Sequence, residues 1–130
     1  MVARVFLGLQ ALIFIPYGLY CLVEPTLLEG SAGVKAITAT GVIELQTMYG
    51  GLQTAVGVLC ALGAMVERYR HSALTALLFI FAGLAVVRVT LGLTHGDFSG
   101  YNVFAMSFET LSLMFLLWVM LLREPEPVAS

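Results

Sequence analysis

The sequence predicts an all-α, polytopic integral membrane protein: a four-transmembrane-helix bundle with both termini cytoplasmic. Three observations carry this. The chain of 130 residues is 60% hydrophobic and only 11% charged, where a soluble domain would hold roughly 25% charged residues. The apolar residues fall into four runs of about 20 residues or slightly more, the length a helix needs to cross ~30 Å of hydrocarbon. Basic residues cluster on alternate connections, as the positive-inside rule requires of an even number of crossings.

The first helix is expected over about residues 4–23. Pro16 removes one backbone donor within it and Gly18 adds slack, so a kink is expected there. Arg4 and the apolar run resemble a signal peptide, but no small-x-small cleavage site follows. Glu24-Pro25 ends the helix. Residues 24–41 contain Gly30, Ser31, Gly33 and Gly41. They are too polar to span and are expected to form an outer loop or cap.

The second helix is expected over about 42–66. Gly50, Gly57 and Ala64 recur every seven residues, and Gly51 with Ala55 forms a small-xxx-small pair. Small residues let transmembrane helices approach closely, where dispersion replaces the missing hydrophobic drive. Gly50, Gly51 and Gly57 therefore mark a packing face, part of which could serve oligomerisation.

Glu67-Arg68-Tyr69-Arg70-His71 reads as a short turn, followed by a third helix over about 72–94 and a fourth over about 101–122. Tyr101 and Trp118 lie near opposite ends of the fourth, where interfacial aromatics are expected. Residues 123–130 read as a flexible tail, and the whole chain as one transmembrane domain. Arg4, Arg68, Arg70 and Arg123 fall on one face of this topology, and Glu24, Glu29, Lys35 and Asp97 on the other. The first face is therefore assigned to the cytoplasm.

Three ionisable residues lie inside the apolar runs: Glu44, Arg88 and Glu109. A charge in hydrocarbon costs roughly 2.5–3.5 kcal/mol on the mildest scale, so each needs a partner, a cavity or a function. Arg88 is six residues before Thr94, about 9 Å along the helix. Glu109 is eight residues after Tyr101, about 12 Å in. Glu44 lies near the outer end of its helix. The expectation is one buried Glu-Arg-Glu cluster in the outer half, with the five guanidinium donors serving two carboxylates. It serves either as a structural clamp or as a ligand, ion or proton site. Tyr49 and Gln53, one turn apart, extend polar groups from Glu44 towards the midplane.

Other chemistries find little footing. Net charge is −2, which does not suggest a nucleic-acid partner. Cys21 and Cys60 belong at different depths, beyond the ~7 Å Cα separation a disulfide allows. His71 and His95 belong on opposite membrane faces. No metal-ligand spacing, nucleophile triad, phosphate loop or dinucleotide fingerprint is present, so no metal or cofactor is expected.

The run Glu44-x-x-x-Met48-Tyr49-Gly50-Gly51-Leu52-Gln53, with Arg88 in the third helix and Glu109 in the fourth, resembles a bacterial family of small four-helix membrane proteins of unknown function. That family is similar to the broader DoxX-like group. The resemblance implies an arginine shortly after the glutamate in many relatives, whereas Leu45, Gln46 and Thr47 stand here. The resemblance implies the fold and the bacterial plasma (inner) membrane, and, through DoxX-like proteins, a redox-associated setting.

Three functions follow in order. The first is an oligomeric ion, proton or small-solute transport or binding protein using the charged cluster. The second is an accessory or scaffold subunit of a membrane redox or quinone-linked complex. The third, ranked last, is an enzyme modifying a lipid or quinone, since a catalytic carboxylate needs a cleft. The expected partners are the lipid bilayer and either a second copy of the chain or a membrane complex.

Overall fold

The computed structural model describes residues 1–121. The tail expected over 123–130, and residue 122 at the end of the fourth helix, lie outside the described residues. Among the described residues there is no strand. The elements are α1 (Val2–Val23), α2 (Leu27–Ala32), α3 (Ala39–Leu45), a π-helical turn (Gln46–Gly51), α4 (Leu52–Met65), α5 (Glu67–His95) and α6 (Gly100–Leu121). α3, the π turn and α4 run on as one span. Four spans are long and apolar enough to cross a membrane: Val2–Val23, Ala39–Met65, Glu67–His95 and Gly100–Leu121. Large apolar side chains such as Leu12, Phe79, Phe104 and Leu111 stay exposed on these spans. That is the expected outer surface where lipid, not water, is the solvent.

The chain forms two compact units, Met1–Ala73 and a second from Leu74 onward, with the boundary inside α5.

The first unit is built on α1 packed along the second span. A Cβ added to Gly57 would lie 2.6 Å from Ile15 Cγ1 and 2.8 Å from its backbone nitrogen. One on Gly50 would meet Leu22 Cδ2 at 2.6 Å, and one on Gly18 would meet the Thr54 nitrogen at 2.6 Å. Near the other end, Arg4 Nε donates to the Ala64 carbonyl at 3.0 Å. These pairings run in opposite directions along the two helices, so the packing is antiparallel. Close backbone approach is what small residues permit in a membrane. Gly51 takes no part in this contact: it is exposed, and a Cβ there would meet only Gln46 O at 3.9 Å.

Local chemistry sets the ends of these elements. α1 continues through Pro16 to Val23. Beyond it, Glu24 accepts from both the amide and the hydroxyl of Thr26. Residues 24–41 are not a plain loop: they contain α2, closed by Gly33 at φ 68°, a left-handed position suited to glycine. Thr38 caps α3 by accepting from the Gly41 amide at 3.0 Å. The second span therefore starts at residue 39, earlier than hydropathy alone places it.

The segment 67–71, read from sequence as a turn, is instead the first turn and a half of α5. Only Val66, in extended conformation, separates α4 from α5. Glu67 occupies the first turn, where a carboxylate complements the helix dipole. Its carboxylate pairs with Arg70 at 2.8 Å. Charge density alone resembles a connection, but at a helix start it is compatible with continued helix.

In the second unit, α5 turns back through a short connection into α6. Gly96, at φ 66°, ends α5, and the Asp97 amide donates to the Gly92 carbonyl at 3.1 Å. This six-to-one bond is the Schellman closure of a helix C-terminus. Phe81 and Phe108 meet edge-to-face with centroids 5.8 Å apart. Glu109, Ser112, Leu116 and Val119 are the buried residues of α6. Their spacing of three and four places them on one stripe.

Candidate functional site

The polar centre of the second unit is Arg88. Its Nε donates to both carboxylate oxygens of Glu109, each at 2.9 Å. Its Nη1 donates to Asn102 Oδ1 at 3.3 Å. The Asn102 amide in turn donates to the Asp97 carbonyl at 3.1 Å and towards its carboxylate at 3.4 Å. Asp97 Oδ1 accepts from the Ser99 amide at 3.0 Å. A polar chain thus runs from buried Glu109, through Arg88, to the exposed connection between α5 and α6.

The side chain of Glu109 is 6% exposed and that of Arg88 28%. The carboxylate is the more deeply placed partner. A buried charge is tolerated where a partner neutralises it and hydrogen bonds satisfy it. Glu109 meets both conditions through one guanidinium.

Beside Arg88 lies a groove of about 740 Å³ within this unit. Ile80, Leu84, Val87 and Leu91, at helical spacing on α5, form its apolar wall. Arg88, Asn102, His95 and Asp97 form its polar end. Gly83 also lines it, and a Cβ there would meet nothing within 4 Å. Asn102 is not singled out by the sequence, and Asp97 only as a charge of the outer face. The available signal was an asparagine in the first turn of an otherwise apolar span.

Glu44 lies in the first unit, in α3, and is exposed. It makes no ion pair or side-chain hydrogen bond among the described residues. It lines a smaller groove of about 300 Å³ together with Lys35 and Tyr49. Tyr49, within the π turn, and Gln53, in α4, are both half-buried. Burial therefore belongs to Glu109 of the two carboxylates, not to Glu44.

The sequence reading put Tyr49 five residues from Glu44, which on an α-helix is about 140° around the axis. The π turn alters this. Its i→i+5 bonding winds more residues into each turn, and both side chains reach one groove. Nothing in the Gly-rich sequence announces that rearrangement.

Gly50 and Gly57 lie against α1, as described above. Cys21 and Cys60 are free and buried. Among the described residues no group of His, Cys, Asp and Glu could hold a metal ion.

No curated protein and no solved structure matches the chain. A family model does, over residues 2–120, which is nearly every described residue and includes both grooves. The chain belongs to the family described as a domain of unknown function, DUF4345.

Proposed function

We propose that this membrane protein binds a small amphiphilic molecule in the groove beside Arg88. The carrying observation is the groove's two-part lining: an aliphatic wall on α5 that ends at Arg88, Asn102 and His95. Its volume of about 740 Å³ falls within the ~300–1,000 Å³ usual for small-molecule sites. Mostly apolar walls with a few convergent polar groups are the common design of such sites.

Charge narrows the ligand. Glu109 already balances Arg88, and Asp97 adds a carboxylate at the same end. An anionic head there would meet no surplus positive charge. A neutral head that accepts hydrogen bonds, such as a carbonyl, ester or hydroxyl, matches the donors on offer. An alkyl or isoprenoid body matches the wall. A proton or ion path through Glu109 is less well supported, because both its oxygens are held by Arg88.

The arginine distribution fits an orientation with both termini inside, and the bacterial plasma membrane is the location that the family resemblance implies. Self-association is part of the proposal: Gly51 and Ala55 are both exposed and four residues apart, a spacing suited to a helix contact between two copies. Gly51→Leu should then reduce the mass seen by light scattering in detergent.

Native mass spectrometry of the purified protein tests the binding reading. Wild type should carry an amphiphile through mild detergent exchange. Gly83→Leu should fold, since its Cβ has open space, and should lose that adduct because the new side chain occupies the groove. Equal adducts on both proteins, or none on wild type, would overturn the proposal.

A further inference from the structure

The smaller groove, in the first unit, has a different character. Lys35, Glu44 and Tyr49 line it together with apolar Ile37, Leu45 and Met48. Lys35 is 68% exposed and engages Glu29 only loosely, at 3.7 Å. An exposed pair of that length contributes little and exchanges partners readily. Glu44 has no charged partner among the described residues. Lys35, Glu29 and Glu44 together leave a net negative charge around one cation.

Position narrows the reading further. Ala39–Met65 has 27 residues, about 40 Å of helix, which matches hydrocarbon plus headgroup regions rather than hydrocarbon alone. Glu44 is the sixth residue of that span, so it lies at the depth where headgroups meet acyl chains. A carboxylate there meets headgroups more readily than bulk ions.

The local backbone is unusual at the same place. A π turn is rare and is found frequently at functional sites. This one brings Tyr49 and Glu44, five residues apart, into one groove. The turn is held to α1 from outside, by Gln46 Nε2 donating to the Leu22 carbonyl at 2.7 Å. The arrangement supplies a carboxylate for an ammonium group, an aromatic ring lining the same groove for the same cation, and an exposed lysine for a phosphate.

We infer that the groove between residues 34–38 and the start of the second span binds the zwitterionic headgroup of an aminophospholipid. Glu44 and Tyr49 receive the primary ammonium, and Lys35 the phosphate. Ile37, Leu45 and Met48 receive the glycerol and upper acyl region. The net negative charge around Lys35 disfavours an anionic headgroup such as phosphatidylglycerol. A primary ammonium is preferred over a quaternary one, because it can donate hydrogen bonds to Glu44. This site lies in the first unit and does not depend on the groove beside Arg88.

The test is native mass spectrometry after equal exposure to phosphatidylethanolamine, phosphatidylcholine and phosphatidylglycerol of matched acyl chains. Wild type should retain phosphatidylethanolamine about tenfold over phosphatidylglycerol, the factor expected of one charge-assisted contact. Glu44→Gln, at an exposed position that does not endanger folding, should abolish the preference. Glu24→Gln, an equal charge change elsewhere in the same unit, should retain it. The inference is overturned if wild type keeps phosphatidylglycerol equally well, or if Glu44→Gln preserves the preference. Free phosphoethanolamine separates the sources: displacement of lipid only at large excess supports a headgroup site. Tight binding of the free compound without lipid retention overturns it.

Discussion

Arg88 Nε donates to both carboxylate oxygens of Glu109 at 2.9 Å. Nη1 is directed instead to Asn102 at 3.3 Å. The guanidinium thus joins a buried charge to the connection between α5 and α6. Removing one charge should cost more than removing both. Glu109→Leu takes the carboxylate away from the Arg88 guanidinium, and Arg88→Met takes the guanidinium away from a carboxylate in an almost closed site. Each single change should destabilise by about 3 kcal/mol, the low end for a broken buried pair because Arg88 is partly exposed. The double variant should recover a large part of the loss. Unfolding of all four proteins in mixed micelles gives the coupling; additive losses would show that the pair is not energetically coupled.

Asn102 is the weaker link, and its loss should be milder. Asn102→Leu removes bonds to Arg88, to the Asp97 carbonyl and to its carboxylate. Exposed Asp97 and partly exposed Arg88 can turn to water, so the cost should be near 1 kcal/mol. The local signature should be larger than the global one. Amide exchange of residues 97–103 should quicken while the rest of α6 is unchanged; uniform change along α6 would contradict the placement.

Two glycines should respond in opposite ways to the same alanine substitution. Gly57→Ala drives a methyl against the Ile15 backbone nitrogen at 2.8 Å. Backbone cannot rotate away, so overpacking should cost about 1–3 kcal/mol. Gly83→Ala meets nothing within 4 Å and should gain up to about 1 kcal/mol from helix propensity. Thermal midpoints in one detergent compare them directly; equal shifts would refute the difference in contact.

Thiol labelling tests the fold and the topology together. Cys21 and Cys60 are 3% and 0% exposed, so a water-soluble maleimide should not label the native protein. Gly30→Cys and Glu67→Cys add exposed thiols on opposite sides of the expected topology. In intact cells only the first should label; labelling of both, or of the second alone, would reverse or refute the orientation.

Sequence conveyed the spans well because hydropathy is a bulk property averaged over twenty residues. It marked Arg88 and Glu109 only as two members of a three-residue cluster with Glu44; opposite charges on adjacent apolar helices have few other partners, and these two meet at 2.9 Å. It did not convey the exposure of Glu44, which depends on where α3 begins. Thr38 sets that start by capping Gly41, a local signal that hydropathy overlooks. Nor did it convey Asn102 or the π turn. A π turn costs one extra residue in a helical run, and the residue count of a span does not record it.

That extra residue makes a sharp prediction. A π turn can be removed by deleting one residue, which restores α-helix on both sides without rotating them relative to each other. Deleting Thr47 should do this. The deletion leaves Gly50 and Gly57 facing α1, and it shortens the separation of Glu44 and Tyr49 from five residues to four. Four residues on an α-helix share a face, so the groove keeps both side chains. What Thr47 contributes is one hydrogen bond from its hydroxyl to the Ile43 carbonyl at 2.8 Å, worth about 1 kcal/mol. The deletion variant should therefore fold with a similar melting midpoint. Inserting an alanine after Thr47 should instead rotate Glu44 about 100° from the groove and weaken the α1 contact of Gln46. Circular dichroism melts and distance measurements between spin labels at residues 44 and 49 would distinguish the cases. If the deletion unfolds the protein, or the insertion leaves the spin-label distance unchanged, the π turn does not set this register.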